Sequence, residues 1–430
     1  MKAAYSKPAR ASVVAFKFAL AGAACILVAG IYFDDTSAVA RDEPAAAATG
    51  EASATPSAEP EVVFHNGQAG FVVTEIAYAL GPEAKAACSQ GMTGGVRSLI
   101  EAYAATSAGQ RKEGEAQQSY DRRLGMAVHT APDGKNLCMF PSAGGADPSW
   151  RMVSGRNLKV EGIDLDGPGA EKKGAGSTCS HEEFQGVNGG RGVDNQFYRV
   201  IGCTTGFQPT GQANGFQTEM HTGSWGILMT VKGVDDPRND PDVEVGFYAN
   251  ADPIQMSAAR APLAHASYAA ENNSRYRATT RGRIVDGVLT TEPVDVRFHN
   301  IVNSMNDDRE LRAARVSMKF TPDGGMEGIL AGYTPVESMY DLQFGARHSK
   351  NAKGELAPER LRLGTSMGRA GALGYSCHGV YHAMMQAADG HKDPATGRCT
   401  SLSTQYRIRV APAFVVDTPS QSANAALVAG

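Results

Sequence analysis

Seven cysteines constrain the fold of this 430-residue chain more than any other feature. An odd number would leave one thiol unpaired in an oxidising compartment. Cys25, however, lies in an apolar run (18–33) that follows four basic residues and precedes the small residues Ala38-Val39-Ala40, a layout typical of a secretory signal peptide. We therefore predict a leader over residues 1–40, whose removal leaves six cysteines. An uncleaved anchor is the alternative, although 16 apolar residues fall short of the roughly 20 that span a bilayer.

The six cysteines of the mature chain predict three disulfides, because exported proteins fold in oxidising surroundings. They are Cys88, Cys138, Cys179, Cys203, Cys377 and Cys399. Sequence alone does not prove a connectivity. Short separations favour neighbours: Cys179 with Cys203, Cys377 with Cys399, and by elimination Cys88 with Cys138. The chain has no CxxC motif, which disfavours zinc ribbons and thioredoxin-like chemistry.

The charge balance disfavours one class of partner. With 41 basic and 45 acidic residues the net charge is -4, and no net field would attract nucleic acid. We expect membrane contact only through an uncleaved N-terminus. Hydrophobic residues make up 42% of the chain, which is enough for a buried core, while 49 glycines and 21 prolines favour turns and short strands.

Composition and periodicity divide the rest of the chain into four parts. These are a disordered linker (41–60), a small mixed α/β region (61–136), a β-rich region with a short C-terminal helix (137–416) and a flexible tail (417–430). The linker has no large apolar side chain to bury. The mixed region combines a strand pattern at 71–78 with helical patterns at 82–90 and 96–106, and the C-terminal helix is expected within 374–388.

Three hairpin patterns in the β-rich region decide the predicted fold class. The strand pairs are 227–231 with 243–248, 281–284 with 288–291, and 314–320 with 326–333. Asp286-Gly287 separates the second pair and is typical of tight hairpin turns. Residues 406–410 alternate like an edge strand. We therefore predict a β-rich (α+β) fold, in which an antiparallel sandwich or jelly-roll-like region follows the small mixed α/β region. Disulfides are expected to cross-link the fold.

Three stretches carry a family resemblance. They are GIDLDG at 162–167 leading through Cys179 to GVDNQ at 192–196, then GSW at 223–225, then residues 397–414. Together they resemble uncharacterised secreted or surface proteins of Gram-negative bacteria. The resemblance covers the chain from about residue 160 to 250 and again near the C-terminus, and no activity is attached to it. It implies an exported protein of the periplasm or the outer cell surface.

Asp164 and Asp166, in a glycine-containing turn, are candidate calcium ligands together with Asp194 and Asn195. Hard oxygen atoms suit Ca²⁺, and a Cys179–Cys203 bridge would bring the second pair near the first. The turn lacks the twelfth-position glutamate of an EF-hand. The alternative is an ordinary turn whose carboxylates accept hydrogen bonds from backbone amides. The acidic group at 235–242 is interpreted as a solvated loop.

His378 and His382 form a second candidate metal site, because their i, i+4 spacing places both imidazoles on one side of a helix. Met384 and Met385 follow and would suit copper or haem iron. The pattern supports an alternative function, a periplasmic metal- or haem-binding redox protein. The simpler interpretation is a disulfide-tethered helix with two ordinary histidines.

Gly364-Thr365-Ser366-Met367-Gly368 matches the G-x-S-x-G pattern of serine hydrolases and follows the strand-like residues 361–363. In those enzymes the acid and the histidine follow the serine over a long sheet-building stretch. The short remainder of the chain shows no strand–helix alternation. A hydrolase that uses Ser366 is therefore the third and least favoured function.

The leading prediction is an exported protein of the cell envelope with a non-catalytic binding or structural role, stabilised by calcium. No residue set convincingly supports catalysis. An envelope protein or a glycan is the expected ligand. Trp225 is interpreted as a core anchor rather than as a sugar-stacking residue.

Overall fold

Strands dominate the structure, as the repeated hairpin patterns predict. The computed structural model describes residues 64–155, 157–167, 179, 181–208, 211–213, 216–259, 261–302 and 305–417. These residues belong to one compact unit, Ser57–Gly430. The predicted leader (1–40), the predicted linker (41–60) and the tail beyond residue 417 lie outside the described residues.

Fourteen strands are described. They are β1 (Gln68–Tyr78), β2 (Lys159–Val160), β3 (Phe184–Gly186), β4 (Arg191–Val193), β5 (Ile227–Lys232), β6 (Asp240–Ala249), β7 (Ala266–Ala270), β8 (Arg277–Val285), β9 (Val288–Thr291), β10 (Val294–Val302), β11 (Met305–Phe320), β12 (Met326–Pro335), β13 (Gly390–Lys392) and β14 (Cys399–Asp417). Eleven of them form one sheet, and β2, β3 and β4 form a second, small one.

The large sheet closes on itself. Its strands run in the order β1-β5-β6-β8-β9-β11-β12-β14, and β14 pairs with β1 again, so eight strands form an antiparallel ring. Apolar side chains of neighbouring strands share the inner face, as in the pairs Ile76–Ile408 and Met229–Phe247. Because the sheet closes, strands on opposite sides of the ring face each other across a common core. Two facing layers of strands are typical of a β-rich fold.

The three predicted hairpins are confirmed as β5–β6, β8–β9 and β11–β12. Between β8 and β9, Asp286 and Gly287 both have positive φ (50° and 73°), as a tight turn with the twist of the strands requires. The expected edge strand at 406–410 is wrong, because β14 pairs with β1 on one side and β12 on the other. Its alternation separates an inner face from an outer one. Since β1 belongs to the predicted mixed region, the regions on either side of residue 136 share this sheet.

The described α-helices are between four and 15 residues long. They are α1 (Ala84–Ala87), α2 (Gly95–Ala104), α3 (Gln117–Val128), α4 (Gln196–Ile201), α5 (Phe216–His221), α6 (Val336–Met339), α7 (Glu359–Leu373) and α8 (Cys377–Ala387), with a π-helical turn at Tyr340–Gly345. The predicted C-terminal helix is α8. The strand expected at 361–363 is wrong, because these residues lie in the first turns of α7. None of the helices in the described parts of the chain is long and apolar enough to cross a membrane.

The six cysteines beyond residue 40 all form disulfides, but not between neighbours in sequence. The bonds join Cys88 to Cys203, Cys138 to Cys377 and Cys179 to Cys399, with Cα atoms 5.8, 4.9 and 5.6 Å apart. The three disulfides are confirmed, and the nearest-neighbour pairing is wrong. The fold brings residues separated by 115, 239 and 220 positions into contact, so sequence separation did not decide the pairing.

Candidate functional site

The turn that carries the predicted calcium ligands crosses the outer side of β14. It follows β2 and includes Ile163, Asp164, Leu165 and Asp166. Asp194 comes directly after β4, so the small sheet delivers it to the same place. The Cys179–Cys203 bridge expected to join the two segments does not exist, because Cys179 is bonded to Cys399. The small sheet, in which β3 pairs with both β2 and β4, joins the two segments instead.

Gln405 of β14 holds the backbone of this turn. It is fully buried and donates through Nε2 to the carbonyl oxygens of Ile163 (2.7 Å) and Asp194 (2.5 Å). Its Oε1 accepts from the Ile163 amide at 2.7 Å. Arg315 of β11 donates to the Leu165 carbonyl. The turn is therefore anchored to the main sheet by side chains from two strands.

Three carboxylates meet at this turn. One oxygen atom each from Asp164, Asp166 and Asp194 lie within 4.8 Å of one another. Asp164 Oδ1 accepts from the Gly167 amide at 2.6 Å, and Asp194 Oδ2 accepts from the Leu165 amide at 2.6 Å. The three side chains are graded in exposure, from the exposed Asp166 to the buried Asp194. This grading leaves one side of the cluster open to solvent.

Glu183 extends the acidic cluster. A Cβ atom placed on Gly192, which has φ of +81°, would lie 3.1 Å from Asp164 Oδ2 and 3.3 Å from Glu183 Oε2. The two carboxylates therefore approach the same point above Gly192. Glycine is needed there, since any side chain would meet both of them in a backbone conformation that disfavours other residues.

Burial and like charges change the acidity of the cluster. Burial is the main cause that raises the pKa of Asp194 to about 8, and the negative charges of Asp166, Asp389 and Asp164 add to it. The Leu165 amide opposes the shift. Burial also raises the pKa of Asp389 to about 7, although its carboxylate accepts from the Ser403 amide at 2.7 Å. A divalent cation would offset this concentration of negative charge.

The side chain of Asn195 is hydrogen-bonded to backbone groups. It is fully buried, its side chain accepts from the Tyr198 amide at 3.1 Å, and its Nδ2 donates to the Ala79 carbonyl at 2.8 Å. The residue therefore caps the N-terminus of α4 and ties it to the end of β1. The structure brings Asp164, Asp166 and Asp194 together and gives Asn195 a structural role.

An open groove lies beside the cluster. It encloses about 1000 Å³ between the small sheet and the outer face of the large one, and Asp164 is part of its wall. Basic side chains from both sheets also line it: Arg191, Lys319, Arg407 and Arg409. The groove therefore presents charges of both signs to solvent.

His378 and His382 both lie on α8, as their spacing predicted. His382 Nε2 donates to the Gly144 carbonyl at 2.8 Å, and the Cβ atom of His378 packs near the same glycine. Burial is the main cause that lowers the pKa of His378. Two groups in the described residues are dense enough to hold a metal ion, namely Asp164–Asp166–Asp194 and His129–Cys138–Cys377, and neither contains His378 or His382. Met384 is buried in the core.

Ser366 lies in the middle of α7 rather than in a turn between a strand and a helix. It is fully buried, and its hydroxyl donates to the carbonyl oxygens of Arg362 (2.8 Å) and Gly345. A nucleophile elbow exposes its serine on a strained turn. The geometry at Ser366 differs from that motif in both respects.

Trp225 lies in the core, 2% exposed, beside an aromatic group that surrounds Arg309. The guanidinium carbon of Arg309 is 4.4 Å from the ring centre of Phe216, 5.1 Å from Tyr406 and 5.9 Å from Trp225. Sequence reasoning missed Arg309 and Gln405, as well as Asp389. No local pattern marks them, since each contacts residues far away in the chain.

No protein-family model, curated protein or solved structure matches the chain.

Proposed function

We propose that this chain is an exported, non-catalytic protein of the Gram-negative cell envelope whose acidic cluster binds Ca²⁺. The observation that carries the calcium proposal is the convergence of Asp164, Asp166 and Asp194 within 4.8 Å at an anchored turn. Calcium takes six to eight oxygen ligands in flexible geometry, and a cluster with one open side leaves room for water to complete the shell.

The anchoring of the turn supports a structural role for the ion. Gln405, Asp194 and Arg315 hold its backbone, so the carboxylates are already close before a cation arrives. The cation would offset the burial, and the neighbouring negative charges, that oppose the ionisation of Asp194. Calcium is therefore expected to stabilise the fold rather than to take part in a reaction.

The groove beside the cluster supports a binding role. Its mixed charges and open shape suit a polar ligand, such as a glycan or a segment of another envelope protein. Three disulfides are compatible with an exported protein, and the sequence resemblance to secreted and surface proteins supports the envelope as the location.

Calcium titration of the chelator-treated mature chain tests the proposal. We expect one Ca²⁺ per chain and, at a hundredfold excess over Kd, about 2.7 kcal/mol of added stability, seen as a rise in Tm. Asp166→Asn removes one of the three carboxylates and should abolish this rise in Tm. Because Asp166 is exposed, the substitution should not disturb the core. Asp236→Asn, in the separate acidic loop, is the matched control and should keep it.

Absence of calcium binding in both the unmodified chain and the control would contradict the proposal. An equal response of the two variants would assign the ion to another part of the chain. Magnesium in place of calcium tests selectivity, since its smaller shell demands stricter octahedral geometry.

A further inference from the structure

The acidic cluster and the open groove beside it share a wall. Asp164 supplies an oxygen atom to the cluster and also lines the groove. Its Oδ2 lies beside Gly192, 3.1 Å from the position that a Cβ atom would take there, and the neighbours Arg191 and Val193 line the same groove. An ion held by Asp164 would therefore lie within reach of a ligand in the groove.

The cluster leaves part of a calcium shell unfilled. One oxygen atom each from Asp164, Asp166 and Asp194 gives three ligands, whereas Ca²⁺ takes six to eight. The amides of Gly167 and Leu165 fix the orientation of two of these carboxylates. With one oxygen atom from each aspartate, at least three positions remain on the open side for oxygen atoms from outside the cluster.

The charges along the groove balance. Its basic side chains are Arg191, Lys319, Arg407 and Arg409, and its acidic side chains are Glu75, Glu161, Asp164 and Glu327. On the floor of the groove, Glu75, Arg409, Glu327 and Lys319 occupy paired positions of four neighbouring strands, so the sign of the charge alternates from strand to strand. Without a net charge, the groove gives no general attraction to a polyanion.

Arg407 and Glu161 are available to a polar ligand. Glu161 precedes Asp164 by three residues, and its side chain pairs with Arg407 at 3.5 Å. The side chains remain 63% exposed for Arg407 and 33% exposed for Glu161. A guanidinium has five N–H donors, and this contact occupies one of them. The pair therefore offers both donors and acceptors beside the cluster.

We propose that the groove binds a neutral glycan, with two adjacent hydroxyl groups of one sugar ring coordinating the calcium ion while Arg407 and Glu161 hydrogen-bond to further hydroxyls. The proposal rests on the calcium site proposed above. Hydroxyl oxygens are hard, neutral ligands of the kind that Ca²⁺ accepts. Each hydroxyl also donates and accepts hydrogen bonds, which suits Glu161 as the acceptor and Arg407 as the donor.

Charge favours a neutral sugar over an anionic one. Three carboxylates and one Ca²⁺ leave one net negative charge at the cluster, so a sugar carboxylate or phosphate would be repelled there. The described residues that line the groove include no aromatic ring. The ion and the hydrogen bonds, rather than ring stacking, therefore have to hold the sugar.

Saturation-transfer difference NMR on the calcium-loaded protein tests the proposal. Two probes, methyl α-mannoside and methyl β-galactoside, are neutral and carry adjacent hydroxyls in different arrangements. A third, methyl β-glucuronide, carries a carboxylate. We expect transfer to at least one neutral probe, loss of that transfer when a chelator removes the ion, and weaker transfer to the glucuronide.

Arg407→Gln separates sugar binding from calcium binding. The variant lacks a charged donor and should bind the neutral probe about tenfold or more weakly. Calcium titration without sugar should be unchanged, because Arg407 pairs with Glu161 rather than with a carboxylate of the cluster. Arg97→Gln is the matched control, since Arg97 is an exposed arginine of α2 that also pairs with a glutamate. It should leave both measurements unchanged.

The two measurements distinguish failure of this inference from failure of the calcium site. Absence of calcium binding without sugar would remove the calcium site and this inference with it. Calcium binding without transfer to either neutral probe would overturn this inference alone and favour a protein segment as the ligand. Transfer that persists in chelator, that is equal in Arg407→Gln, or that is strongest for the glucuronide would also overturn it.

Discussion

Arg309 shows how much a single side chain depends on its surroundings. It is 1% exposed, donates to Tyr406 Oη (2.7 Å) and Asn300 Oδ1 (2.6 Å), and has its guanidinium among aromatic rings. The structure records no carboxylate bonded to it among the described residues. Aromatic faces and two neutral acceptors therefore take the place of a counter-ion.

We predict that Arg309→Lys is at least as destabilising as Arg309→Met. Lysine keeps the buried charge but loses the planar fork and its stacking, whereas methionine removes the charge at the cost of two unpaired acceptors. Each variant should lose on the order of 2 kcal/mol of unfolding free energy, measured in urea. A lysine variant as stable as the unmodified chain would contradict this account of Arg309.

Asp194 should make the calcium-free protein less stable as pH rises. An aspartate in an unfolded chain titrates near pH 4, whereas Asp194 in the folded chain titrates near 8. Between these values the unfolded chain is ionised while the folded chain keeps its proton, so the unfolding free energy falls with increasing pH. Asp194→Asn cannot ionise and should reduce this fall between pH 5 and 8 by on the order of 3 to 4 kcal/mol. Urea unfolding with chelator at both pH values measures it, and an unchanged slope in the variant would show that the group does not titrate there.

The element that decides the site is the turn after β2. Its sequence has the acidic and glycine residues of a ligand-binding turn, but its position depends on Gln405, 242 residues away. In α7, by contrast, the local sequence does not indicate even the type of element. Leu361 to Leu363 alternate apolar and basic residues over too few positions to separate a strand from a helix, and only the packing of α7 decides between them.

Gln405→Glu tests the anchoring of the turn. A carboxylate cannot donate to the Ile163 and Asp194 carbonyls, and its charge would add to the acidic cluster. We expect a loss of about 2 to 3 kcal/mol in unfolding free energy, and weaker Ca²⁺ binding because the loss of these hydrogen bonds displaces the ligands by more than the added charge attracts the ion. Gln405→Leu removes the bonds without adding charge and separates the two effects. Unaltered calcium affinity in both variants would mean that the turn keeps its geometry without Gln405.

At the scale of the whole molecule, the closed sheet and the disulfides form one framework. The bond between Cys138 and Cys377 ties the loop after α3 to α8, and the bond between Cys179 and Cys399 ties the segment beyond the acidic turn to the start of β14. Each closes a chain segment of more than 100 residues, so each restricts the unfolded state considerably.

We expect the Cys179–Cys399 and Cys88–Cys203 bonds to differ in their effect on calcium binding. Each bond is removed by a double substitution to serine, Cys179→Ser with Cys399→Ser in one variant and Cys88→Ser with Cys203→Ser in the other. Each double variant should lower the unfolding free energy by about 2 to 5 kcal/mol. Only the first pair adjoins the segment between Asp166 and Glu183 and should also weaken Ca²⁺ binding. Calorimetry with and without Ca²⁺ measures both effects. Equal calcium affinity in the two double variants would show that the Cys179–Cys399 bond does not influence the calcium site.

Much of the fold could be predicted from local sequence. Asp286-Gly287 and the β-branched runs on either side of it specify a hairpin through the backbone conformations and pairing of adjacent residues. The acidic turn at Asp164 could also be predicted, because its acidic and glycine residues are close together in the sequence. Gln405 and Arg309 could not be found this way, because their partners are assembled by strands far apart in sequence.

The sequence by itself determined the strand-rich class, the hairpins, the even set of six cysteines beyond residue 40 and the residues of the acidic turn, because each of these depends on residues close together in the chain. Only the tertiary structure decided the closure of the sheet, the central place of β14 and the disulfide pairing. The entropy of closing a loop grows slowly with its length, so contacts made by the folded sheet outweigh the advantage of near neighbours. Cys179 therefore pairs with Cys399, 220 residues away, rather than with Cys203.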